Sequence, residues 1–145
     1  MKQQQHLLLA AFLLFILPGL GFAQVAWIEP ADATVDSVVT LYFDATQGDQ
    51  GLMDYTDDVY LHTGVITLES THDGDWKHVV SDWGVADQTV LMTREADNLY
   101  SIQFHIRSFY GIAEDETVRK LAFVFRNADA SVTGRSAEGG DIFIP

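Results

Sequence analysis

Apolar and polar residues alternate with a period of two through much of this chain. Tyr100, Ile102, Phe104 and Ile106 alternate with Ser101, Gln103 and His105, the pattern of a strand with one face buried. Residues 38–43 (VVTLYF) place Val39, Leu41 and Phe43 on one face. Residues 59–67 (VYLHTGVIT) form a third strand, bent at Gly64, because a glycine inside a strand marks a bulge or a close backbone approach. Short strands are also expected at residues 25–28, 76–80, 90–94 and 141–144. Residues 120–126 (KLAFVFR) are apolar on both faces, as a central strand is. Ala96, Asp97 and Asn98 read as a hairpin turn. A helical turn is expected only within residues 108–120, where Glu114, Asp115 and Glu116 suit a first turn. About seven or eight strands with at most one short helix predict an immunoglobulin-like β-sandwich, with a small jelly roll as the competing architecture.

The first residues follow a different pattern. Lys2 is followed by an unbroken apolar run of 11 residues from Leu7 to Leu17, then Pro18-Gly19 and the small-residue site Gly21-Phe22-Ala23. This is the layout of a cleavable export signal. The run is too short to cross a hydrocarbon core, which takes roughly 20 residues. Residues 1–23 are therefore read as a signal peptide and residues 24–145 as one sandwich domain, secreted to the extracellular space or periplasm. No membrane insertion is expected after cleavage. The chain stops one residue after its last expected strand, which suggests the first domain of a longer polypeptide.

Charge narrows the partners. Without Lys2, 7 Lys and Arg face 21 Asp and Glu, a formal charge of −14. Such a surface repels phosphate backbones and anionic headgroups, so nucleic acid is excluded as a partner while neutral sugars and cations remain. There is no cysteine, so the exported domain is expected to rest on its apolar core alone.

Catalytic motifs are missing: no Gly-x-Ser-x-Gly, phosphate loop or His-Glu-x-x-His is present. No catalytic residue, metal ligand or cofactor is assigned. Asp44, Asp49, Asp54, Asp57 and Asp58 crowd one loop, but their spacing does not follow a calcium loop. A Ca²⁺-dependent adhesion or interaction domain using these residues stays an alternative. The stronger candidate is an aromatic platform, since Trp76, Trp83 and Tyr110 fall near strand ends and loops. Flat rings stack on the C–H faces of sugars, and Lys77 with nearby carboxylates would orient hydroxyls. A tryptophan on a sandwich strand also serves as a core plug. The same residues therefore fit a structural spacer that binds nothing.

Several segments carry a resemblance: residues 38–45 (VVTLYFDA), 55–67 (YTDDVYLHTGVIT), 75–79 (DWKHV) with Trp83, 108–111 (SFYG), 121–129 (LAFVFRNAD) and 141–144 (DIFI). Together they resemble the N-terminal module of secreted bacterial α-amylase-family enzymes, and similar blocks occur in starch-binding outer-membrane proteins. The resemblance implies an immunoglobulin-like accessory domain with no activity of its own. It also implies α-glucan as the polysaccharide partner and an adjacent catalytic domain. No catalytic barrel follows, so the acid and nucleophile of those enzymes have no counterparts here.

Overall fold

The computed structural model describes residues 23–145, so the expected export signal lies outside the described residues except for Ala23. Two antiparallel sheets pack face to face. The front sheet runs β1 (Ala26–Glu29), β2 (Val38–Asp44), β6 (Leu99–His105), β5 (Thr93–Ala96). The back sheet runs β4 (Lys77–Val80), β3 (Tyr60–Thr67), β7 (Val118–Arg126), β8 (Thr133–Gly134), with β9 (Ile142–Ile144) also on β7. Strands β8 and β9 meet the same edge of β7, at Phe125 to Arg126 and at Leu121 to Phe123 respectively. They act as one strand interrupted by residues 135–141. With that pair counted as one, the order is that of an immunoglobulin sandwich: first, second, fifth and fourth strands in one sheet, and the third, sixth and seventh in the other. Strand β4 is an addition on the outside of β3.

The core follows from the period of two. Val39, Leu41 and Phe43 of β2 face Leu61 and Val65 of β3 and Leu121, Phe123 and Phe125 of β7, all buried. Phe43 and Phe125 stack across the sandwich with ring centroids 3.8 Å apart and planes inclined by 10°. This is the closest aromatic contact between the two layers.

Two local expectations shift. Residues 90–94 do not begin a strand. Asp87 accepts from the backbone N–H of Thr89 and caps a 3-10 turn, Gln88–Val90, and β5 starts later at Thr93. The helical turn lies earlier than residues 108–120. It is α1 (Ile106–Tyr110), begun by His105 and ended by Gly111 in the left-handed conformation at φ 66°, which a glycine adopts without steric cost. Glu116 is not in a helix and instead pairs with His78 at 2.8 Å. The expected hairpin turn is present, with Asn98 at φ 63°.

Replacing Phe43 with Ala removes one half of the inter-sheet stack. It should lower unfolding stability by about 3–5 kcal/mol, read as a lower urea midpoint with an unchanged slope.

Candidate functional site

Strands β3 and β7 are buried on both faces, and the outer face shapes the site. Tyr60, His62, Gly64 and Ile66 of β3 and Lys120, Ala122, Val124 and Arg126 of β7 alternate away from the core, since their neighbours fill it. Yet Tyr60, Ile66, Ala122, Val124 and Arg126 are all buried. Loops 68–76 and 81–87 fold over this face. Lys120 ties the first to the sheet through Asp73 at 2.9 Å.

Arg126 ties the second. Its side chain is 0% exposed, and its guanidinium donates only to backbone carbonyls. These are Asn127 and Ala128, each at 3.1 Å, Asp82 at 3.3 Å and Val85 at 2.6 Å. The cation also lies 5.6 Å from the centre of the Tyr60 ring. Burial lowers its pKa from the usual arginine value, opposed by the neighbouring Tyr60 and Asp87. Four carbonyls meeting one planar fork fix the path of residues 82–85, and so the place where Trp83 emerges.

Trp83 is 48% exposed and stands edge-on to His62, with centroids 4.9 Å apart and planes at 80°. Trp76 stacks on the same imidazole at 5.7 Å and 28°. The two indoles therefore meet at a steep angle around His62. The Trp76 indole N–H donates to the Asp73 carbonyl at 3.1 Å, which holds that ring. Gly64 allows the approach: a Cβ there would sit 2.9 Å from the Lys77 carbonyl oxygen and 3.3 Å from the Trp76 Cβ. The ladder between β3 and β4 also shifts register between Thr63 and Val65. Arg135 completes the wall, 5.9 Å from the Trp83 ring centre and paired with Asp141 at 2.9 Å. The result is an open depression of about 250 Å³ lined by His62, Trp76, Trp83, Val124, Arg135 and Asp141, with Gly74 at its rim.

His62 is the polar group at its floor. Its Nδ1 is buried and has no hydrogen-bond partner among the described residues. Desolvation lowers its pKa first and the nearby Arg126 next. Asp141 pulls the other way and Arg135 adds to the lowering. The imidazole is thus neutral at neutral pH and can exchange hydrogen bonds with a hydroxyl.

Of the four residues singled out from sequence, the structure brings Trp76 and Trp83 together. Lys77, the first residue of β4, follows Trp76 but does not line the depression, and its ammonium is held by Asp75 at 2.8 Å. That contact, joined by the Thr71 N–H, pulls Asp75 down to about 2. Tyr110 is a correction. It is 4% exposed, its hydroxyl lies 2.7 Å from Thr63 Oγ1, and burial raises its pKa. Its ring packs against Phe104 and Phe109, so it offers no face to a ligand. Sequence reasoning passed over His62, Arg135 and Asp141.

The aspartate-rich loop is spoken for differently. Asp44 caps Thr46, Asp49 accepts from the N–H groups of Gly51 and Arg135, and Asp54 accepts from Asn98. Among the described residues no three His, Asp or Glu side chains converge as metal ligands, and no helix is long and apolar enough to cross a membrane.

Two outcomes follow. Arg126→Leu leaves carbonyls of two loops without donors and should cost about 3 kcal/mol or more, with Trp emission shifted red as loop 81–87 loosens. The depressed pKa of His62 favours the neutral form in the folded state. Its contribution to stability is therefore fully present above the unfolded value of about 6.5 and is lost as pH falls from there through the folded value. Urea midpoints between pH 7.5 and 5 should fall more steeply for the native protein than for His62→Gln; equal slopes would contradict this.

A family model described as a domain of unknown function, DUF8578, matches residues 26–133, and no curated protein matches the chain. The matched span runs from the first residue of β1 into β8. It includes His62, Trp76, Trp83 and Arg126 and stops short of Arg135 and Asp141. The chain belongs to the DUF8578 family of domains of unknown function.

Proposed function

We propose that this domain is a secreted, non-catalytic carbohydrate-binding module that takes an α-glucan chain between Trp76 and Trp83, as an accessory to a glycoside hydrolase. The observation that carries the reading is the meeting of the two indoles at a steep angle around His62. A β-1,4-linked glucan is a flat ribbon and suits rings lying in one plane. An α-linked glucan curves, so successive sugar units present their C–H faces at an angle. Trp83 and Trp76 supply rigid apolar area. The neutral His62 imidazole, Arg135 and Asp141 supply donors and acceptors for ring hydroxyls. The depression is shallow and open to water, which fits weak binding that keeps an attached enzyme near its polymer.

A second reading has its own support. Val79, Trp83 and Val85 are all about half exposed, and they sit on or beside the loops that cover the back sheet. An apolar patch of this kind also suits packing against a neighbouring domain.

Titration with maltoheptaose should quench Trp fluorescence saturably, and cellohexaose should give little response. Trp83→Ala removes a half-exposed ring, should keep the fold, and should weaken maltoheptaose binding by roughly tenfold or more. A flat response to both sugars from the folded protein would leave the packing role in place of the sugar site.

A further inference from the structure

We propose that the Trp76–Trp83 depression is one end of a longer track, which continues past the Arg135–Asp141 pair into the groove between β1 and β9 and holds a chain of several sugar units. The inference rests on the carbohydrate reading above and extends it from a local contact to recognition of polymer length.

The groove is the larger concavity, about 450 Å³, within the size range of ligand sites. It lies where the edge strand of the front sheet, β1, faces β9 of the back sheet. Its lining includes Gln24, Trp27, Ser136, Asp141 and Phe143. Asp141 also lines the Trp76–Trp83 depression, so the two concavities share a wall. Arg135 holds one carboxylate oxygen of Asp141, and the other oxygen remains to accept from a hydroxyl. Ser136, the neighbour of Arg135, accepts the Gly140 N–H at 3.0 Å, which leaves its own O–H to donate.

Aromatic rings recur on the far side of this boundary. Trp27 stacks on its cross-strand neighbour Tyr42 with centroids 5.2 Å apart and planes 15° from parallel. That contact fixes the indole without burying it. Phe143 points to the outer face of the back sheet opposite Ala122, with the Lys120 ammonium 5.3 Å from its ring centre. The same ammonium is paired with Asp73 in the loop beside Trp76. The Lys120 ammonium thus lies between Phe143 and the loop beside Trp76. Rings at intervals with polar groups between them suit a chain of repeating units that is apolar on its faces and hydroxylated at its edges. A carboxylate at the midpoint disfavours an anionic chain.

The test compares maltotriose and maltoheptaose binding by calorimetry for the native protein, Trp27→Ala and Phe143→Ala, with each fold checked by circular dichroism. Native protein should bind maltoheptaose roughly tenfold tighter than maltotriose. Either variant should erase most of that difference while leaving maltotriose binding at Trp83 unchanged. Equal native affinities for the two sugars, or a length preference untouched in both folded variants, would overturn the track and leave the Trp76–Trp83 site standing. Binding of neither sugar would remove the carbohydrate reading itself, and the track with it.

Discussion

The outer half of this molecule depends on a charge placed where no water reaches it. Arg126 ends a central strand of the back sheet; its two terminal guanidinium nitrogens donate to four backbone carbonyls, and its buried Nε has no partner among the described residues. Taking a cation out of water costs several kcal/mol unless its donors are matched. Here the matching acceptors belong to residues 82 and 85 in one loop and to residues 127 and 128 in the turn that follows β7. Burying the arginine and ordering the loops are therefore one event. Neither loop has an apolar anchor of comparable size, and Trp83 and Val85 both point outward.

From that constraint comes the character of the surface. The chain is strongly acidic, yet Lys120, Arg126 and Arg135 gather on the outer face of the back sheet, each with a carboxylate, carbonyl or aromatic partner. The site they frame is close to neutral and its one titratable floor residue, His62, is held uncharged. The acidic surroundings repel anionic ligands and exert no net force on a neutral one. On the reading proposed above, the angle between the two indoles would favour a curved chain over a flat ribbon.

Much of the sandwich was legible from the alternation of residue types. Strands β2, β3, β6 and β7 emerge within a residue or two of their ends, because β2 and β6 alternate with a period of two and β3 and β7 are apolar runs buried on both faces. The segments that misled are those where local hydrogen bonding outweighs side-chain pattern. Asp87 capping Thr89 converts the apolar run from Val90 to Met92 into the exit of a turn, and His105 starts a helical turn in place of the last strand residue. Strand β8 has only two residues, Thr133 and Gly134, too few for any period to register. The site was half legible. Trp76 and Trp83 stand out by type, whereas Tyr110, also aromatic, is set apart by its burial against Phe104 and Phe109 and its bond to Thr63 across the fold. Arg135 and Asp141 are close in sequence to each other but remote from His62, and the pairing of β3, β8 and β9 with β7 brings the three together. Arg126 looks in sequence like the polar end of a strand. Nothing local marks it as buried, because its partners are carbonyls, which every residue has.

The most direct measurement follows the indole Nε1–H resonances of Trp76 and Trp83 in ¹H–¹⁵N spectra of the protein as maltoheptaose is added. If the angled indole pair is a sugar site, both resonances shift along one saturable curve, together with the amide of Gly74 at the rim. If both stay fixed at high sugar concentration in a well-dispersed spectrum, the two tryptophans serve packing alone.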